Sequence, residues 1–179
     1  MEVFKRVAQA TCDEPHLLAT SAEDLLTRYN NGLSMLGFWE GDVVFHTCLT
    51  PLLTWFELGG TWTRADLRGK KINQAAYKRF LPGHAHRNIL VTTTSIQALR
   101  VGTHFSFVVI PRTWLPPAEL AATCICSAQK TGSMEPSSCT LAWREPQQRG
   151  PMTCYVRVTP ETAQRMGWEA NWVDRHTAA

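Results

Sequence analysis

No stretch of this chain approaches the roughly 20 apolar residues that a membrane-spanning helix needs, so a membrane partner is not expected. The opening, Met1 to Arg6, carries charge, and the apolar run of a secretory signal does not follow it. That absence points to the cytoplasm, a reducing compartment. The six cysteines (Cys12, Cys48, Cys124, Cys126, Cys139 and Cys154) are then expected as free thiols. Zinc spacing is lacking too. Cys124 and Cys126 have one residue between them, whereas structural sites place about two to four between paired ligands, so no metal is expected. A small-residue elbow around a serine is missing, which argues against a Ser-His-Asp hydrolase. Internal repeats and low-complexity segments are absent as well. The net charge of +3 is too small to call for nucleic acid.

What is present is a globular composition, 44% hydrophobic and 18% charged, in 179 residues. That length suffices for one domain with a real core. Ser21-Ala22-Glu23-Asp24 reads as a variant capping box, with Leu25, Leu26 and Tyr29 on one helical face and Asn30-Asn31-Gly32 as the stop. Aromatic and branched flanks around Gly41-Asp42 predict a hairpin over 33–49. A third strand follows over 55–63, where Gly59-Gly60 marks a bulge or a close backbone approach. Helical spacing of Ile72, Ala75, Ala76 and Phe80 ends at Pro82-Gly83. Then come a strand over 89–93, a short helix capped by Ser95, and a strand alternating Phe105, Phe107 and Val109. Residues 111–118 and 127–138 read as loops. Residues 139–143 and 154–158 read as a final hairpin, and Thr159-Pro160 starts a last short helix ended by Gly167. The fold class expected is α/β (α+β), with a mixed sheet in a single domain spanning 1–179.

Charge is concentrated in one place. Arg64, Arg68, Lys70, Lys71, Lys78 and Arg79 lie within sixteen residues, against the single acid Asp66. The first four of these cations stand where a strand runs through a turn into a helix. Unpaired backbone N–H groups at a helix start carry partial positive charge, so this is a candidate pyrophosphate site. A solvated basic surface has the same composition. Contact with nucleic acid fits less well, because exposed aromatics do not interleave the basic residues.

The segment Arg68-Gly69-Lys70-Lys71-Ile72-Asn73 resembles the coenzyme A loop of the GNAT acyltransferase superfamily. In that family Arg or Gln, two variable residues, Gly, one variable residue, and Gly or Ala wrap the pyrophosphate. Arg68 matches the first position, while Lys71 and Asn73 replace the small residues. Glu57 stands eleven residues before Arg68, where the family often places an acid. Ser95 stands where many members carry Asn, and Phe105 matches the aromatic of a Gly-Phe pair, with His104 in place of the Gly. The resemblance covers about 33–111, and 112–179 would complete the sheet and add loops and a short helix.

The resemblance implies a mixed, mostly antiparallel sheet flanked by helices. It also implies an acyl-CoA-dependent N-acyltransferase, using acetyl-CoA or another acyl-CoA as co-substrate and an amine as acceptor. Cofactor-binding residues would be Trp62, Thr63, Arg68, Gly69, Lys70, Lys71, Ile72, Asn73 and Ser95, with the backbone near Trp62 and Thr63 pairing the pantetheine arm. Glu57 would be the general base, because an amine of pKa near 10.4 must lose a proton before it attacks a thioester. Alternatively, Glu57 simply pairs with an arginine. Free N–H groups at Gly59-Gly60 would face the oxyanion. Many relatives use a tyrosine five residues before the Phe as general acid; Arg100 holds that position here and would stabilise the leaving thiolate. His46 is a reserve base, and Trp39 and Trp55 are candidates to line an acceptor pocket. Replacement of the small loop residues and of the tyrosine supports an alternative, a GNAT-like domain that binds acyl-CoA or another anion without turnover. Assembly as a homodimer is also open.

Overall fold

A computed structural model describes residues 1–14, 17, 20–93, 96–111, 114–123 and 155–168. Ser95, residues 139–143 and Cys124, Cys126, Cys139 and Cys154 lie outside them. Chain contacts divide into two compact units, Met1–Thr50 with Leu58–Ala85, and Pro51–Glu57 with His86–Ala179. Six strands form one sheet in the order β1-β2-β3-β4-β6-β5, numbered along the chain. Strand β3 (Phe56–Thr63) gives its first two residues to the second unit and the rest to the first.

The first unit opens with a helix that the sequence reading does not anticipate, α1 (Glu2–Cys12). Its buried positions Phe4, Val7 and Thr11 recur at helical spacing, and Phe4 and Val7 pack with Ala22, Leu25 and Val43. Helix α2 (Ala22–Asn30) is capped as expected: Ser21 Oγ accepts from the Asp24 amide at 3.0 Å. The expected hairpin forms from β1 (Ser34–Trp39) and β2 (Asp42–Pro51), antiparallel, with a register shift between Gly37 and Phe38. At Gly37 a Cβ would stand 3.0 Å from that of Phe45, so a side chain there would force the strands apart. Strand β3 runs antiparallel to β2, since Arg64 donates to the Val44 carbonyl and Cys48 reaches the Gly59 carbonyl. Helix α3 (Ile72–Phe80) buries Ala76, Tyr77 and Phe80.

In the second unit Phe56 and Glu57 pair in parallel with Ile89 and Leu90 of β4 (Ile89–Thr93). Helix α4 (Ile96–His104) precedes β5 (Val108–Val109), which is shorter than the strand expected from Phe105. The helix continues past the anticipated boundary because the Phe105 amide still bonds the Val101 and Gly102 carbonyls, and Ser106, at φ +56, then closes it. Part of the loop expected over 111–118 is also helical. Pro117 opens α5 (Pro117–Thr123), a first-turn position at which its missing N–H costs nothing. Strand β6 (Tyr155–Val158) inserts between β4 and β5 and pairs antiparallel with both. The expected α6 (Pro160–Arg165) follows, with the Thr159 hydroxyl accepting from the Thr162 amide. The core here is Trp55, Leu90, Ile110, Leu115, Val156, Val158 and Ala163. Trp55, a candidate pocket residue from sequence, is therefore a core residue; Trp39 is exposed at the end of the hairpin.

Glu119 fixes the segment that enters β3. Its buried carboxylate accepts from the amides of Leu53 at 3.2 Å and Thr54 at 2.6 Å, and from the Thr54 hydroxyl at 2.7 Å. Hydrogen bonds to an ionised carboxylate are stronger than neutral ones, so three of them on one side chain hold this segment in place. The mixed, mostly antiparallel sheet flanked by helices is the architecture expected from sequence. Among the described residues no helix is long and apolar enough to cross a membrane.

Candidate functional site

The basic loop is built by the end of β3 and the start of α3. Two bonds close it: Thr63 Oγ1 donates to Asn73 Oδ1 at 2.6 Å, and Arg68 Nε donates to the Thr63 carbonyl at 3.1 Å. Leu67, in the short turn Ala65–Leu67, is the buried peg beneath the loop and packs with Val44, Phe45 and Ala76. The strand end, the loop and the first turn of α3 therefore form one tied element.

Backbone conformation carries the most information here. Gly69 is left-handed, at φ +81, and so is Lys71, at φ +60 and ψ +22. Lysine rarely accepts that region, which costs an L-residue about 1–2 kcal/mol. Lys71 stands where the family motif has its glycine, and it adopts the conformation that a glycine would. It also occupies the N-cap of α3 and makes no side-chain cap bond, unlike Ser21 of α2 and Thr159 of α6. The first amides of α3 thus lack a side-chain acceptor and suit an anion. Lys71→Gly is expected to leave thermal stability unchanged or raise it by up to about 1 kcal/mol, whereas Ala75→Gly in the same helix should cost about 1 kcal/mol. A clear loss of melting temperature in Lys71→Gly would show that the left-handed geometry costs nothing here.

The loop cations are unequal. Arg64 is committed to Asp66 (2.7 and 3.0 Å) and to Asp42 (3.9 Å), and it holds the Asp66 carboxyl below its usual range. Arg68 Nη2 is taken by Glu14, just beyond α1, an ion pair that the sequence reading misses because 54 residues separate the two. Among the described residues, the ammonium groups of Lys70 and Lys71 form no hydrogen bond or ion pair, and both side chains are exposed. These two lysines are the charges open to an incoming phosphate. Ile72 is partly buried against the Val44–Phe45–Leu67–Ala76 cluster. Trp62 is half-buried on β3.

On β3 itself Gly60 is left-handed, at φ +56, as a bulge residue is. A Cβ there would meet Cys48 Sγ at 3.2 Å and the His46 ring at 3.6 Å, so the glycine leaves room for those two side chains. His46 is fully buried. Its Nδ1 lies 2.9 Å from the Gly60 carbonyl and its Nε2 3.0 Å from Ser34 Oγ. A carbonyl only accepts, so Nδ1 carries the proton and Nε2 accepts from the serine. Burial is the main cause that lowers its pKa to about 4, opposed by the Gly60 bond and helped by Arg28. The sequence reading holds His46 as a reserve base; the structure makes it a neutral internal strut without solvent access. Tyr77 is also sealed, its hydroxyl 2.9 Å from Thr61, and burial raises its pKa.

Glu57 lies in the second unit. Thr92 Oγ1 donates to its Oε1, a contact between residues 35 apart that the sequence reading also misses. Arg100 is exposed on α4. That helix covers the face of β6 that carries Arg157, whose Nη1 donates to the Leu99 carbonyl at 2.8 Å and to Thr103 at 3.1 Å. Side chains alternate along a strand and cross-strand partners share a face. Leu90, Thr92, Val156 and Val158 therefore occupy the other face, and it is there that Glu57 meets Thr92. Glu57 and the α4 residues that bond Arg157 are thus assigned to opposite faces.

No protein-family description and no curated protein sequence matches this chain. Among solved structures, Rv2747 from Mycobacterium tuberculosis, in complex with CoA and NLQ, superposes with a TM-score of 0.59 at 16% identity, covering 88% of this chain and 93% of that one. At that identity the likeness shows a shared fold. A protein from Pyrococcus horikoshii, provisionally an acetyltransferase, reaches a TM-score of 0.45 at 14% identity, covering 61% of this chain and 40% of that one, too low to bear on the argument.

Proposed function

We propose that the chain is an acyl-CoA-dependent N-acyltransferase of the GNAT kind, a single domain that holds the coenzyme A pyrophosphate on residues 68–73. One observation carries this reading: the start of α3 lacks a side-chain cap, follows two left-handed residues, and is flanked by the unpaired Lys70 and Lys71. That combination suits a diphosphate and has no evident use as a plain surface. Support comes also from the fold shared with a protein that is known bound to CoA. When bound, the thioester supplies an acyl group activated toward amines. Glu57, two residues before Gly59-Gly60 on β3, takes the proton that the amine loses as its nitrogen bonds to the acyl carbon. The carbon–sulfur bond breaks and the thiolate leaves, to be protonated from solvent; Arg100, on the helix that covers the face opposite Glu57, is not given that role.

The cofactor assignment is tested by calorimetry with coenzyme A. Arg68→Ala with Lys71→Ala should weaken binding at least about tenfold, less than two free cations would give, because Arg68 must exchange Glu14 for phosphate. Unchanged affinity in the double variant removes the loop from the site.

A second reading, binding without turnover, is favoured by Tyr77. The tyrosine nearest the loop in sequence is sealed against Thr61 and cannot serve as a general acid. Release of free thiol from acetyl-CoA with a panel of amines separates the two readings.

A further inference from the structure

We propose that Thr92 is the positioning residue for Glu57, holding one carboxylate oxygen so that the base is presented in a single orientation. The inference rests on the reading of Glu57 as the base. The paired residues of β3 and β4 are Phe56 with Ile89 and Glu57 with Leu90. Thr92 stands two residues beyond Leu90 on the same face, and its hydroxyl donates to Glu57 Oε1. Here the two strands are tied through side chains, beyond the last backbone pair.

The donor is well mounted. Thr92 belongs to a strand with neighbours on both sides and pairs with Val156, which is buried. A β-branched side chain has a restricted χ1, so little freedom is left to the hydroxyl. Chemistry favours threonine over the cation that β6 carries. Arg157 is one residue from Val156, yet it directs its Nη1 to α4 on the opposite face. A neutral donor orients a carboxylate without cancelling the charge that makes it a base. Thr92 exchanges no proton in the reaction; the proton from the amine goes to Glu57.

Thr92→Val keeps shape and removes the donor. It is expected to lower kcat by about tenfold, since small misplacements of a reacting group cost up to about 10²-fold. KM for acetyl-CoA and the coenzyme A affinity should stay within about twofold. Thr92→Ser should restore kcat, and Thr92→Val added to Glu57→Gln should cause no further loss. Independently of activity, the Glu57 side-chain carboxyl ¹³C resonance should move in Thr92→Val and return in Thr92→Ser. Wild-type kcat in Thr92→Val, with Glu57→Gln impaired, overturns the role of Thr92 and leaves Glu57 as the base. An unmoved resonance overturns it whether or not turnover is found. Full activity in Glu57→Gln overturns the reading of Glu57 itself, whatever Thr92 does.

Discussion

Glu57→Gln is expected to lower acyl transfer at pH 7 by at least about tenfold and by as much as about 10⁴-fold, the range over which a general base contributes. Glutamine is nearly isosteric, and its amide oxygen still accepts from Thr92, so the strand pairing of Glu57 with Leu90 should persist. Coenzyme A affinity should hardly change, because the loop residues proposed to bind it are untouched. Raising the pH should recover much of the loss. A lysine-like amine loses its own proton as the pH nears about 10.4, and the base is then no longer needed. Thiol release in wild type and variant from pH 7 to 9.5, with calorimetry alongside, makes the comparison. Equal turnover at pH 7 would place the base elsewhere, and the burial of His46 leaves that residue a poor substitute.

A second large effect is expected from His46 itself, on stability rather than rate. In the folded chain its pKa is lowered to about 4, against an ordinary 6.5 when the chain is unfolded. Between those values the unfolded state binds a proton that the folded state does not. The contribution of His46 is therefore fully present above about pH 6.5 and is lost as the pH falls toward 4. The loss should total about 3 kcal/mol, since each pKa unit corresponds to about 1.4 kcal/mol. Urea denaturation at pH 7, 5.5 and 4 should show the decline, and His46→Gln should lack that part of it. An NMR titration supplies the decisive measurement: a His46 ring that titrates near pH 6.5 in the folded protein would refute the buried, neutral state.

Much of the fold was legible because local signals agreed with the final packing. Ser21 caps α2 and Thr159-Pro160 starts α6, each through chemistry that acts within a few residues, while the hairpin turns one residue earlier than expected, on Glu40-Gly41, both at positive φ, with Asp42 already paired to Trp39. Helix α1 carries no local start signal, since its N-cap Met1 makes no side-chain cap bond, although Phe4, Val7 and Thr11 mark its face. The strand expected from Phe105 gave way to two further helical bonds, and alternation over three residues could not decide between them. At the candidate site the loop was legible from its charge and spacing. The left-handed Lys71 was not, since lysine gives no hint of positive φ; only its place in the motif suggested it. Glu14 beside Arg68 and Thr92 beside Glu57 depend on contacts between distant residues, which no local pattern encodes. His46 lies on the expected strand, but its burial is set by packing that no local pattern encodes.

The strand order sets a sequence of events during synthesis. All of the chain in the first unit has been made by Ala85. Strand β6, by contrast, lies between β4 and β5 and is made well after both. Until Tyr155–Val158 emerges, β4 and β5 lack the strand that joins them among the described residues. For about sixty residues of translation, at about 5–20 residues per second, the segment holding Glu57 and Thr92 therefore waits for that partner. The basic loop over 68–73 can be shaped seconds before the strand pair that holds the proposed base is locked in place.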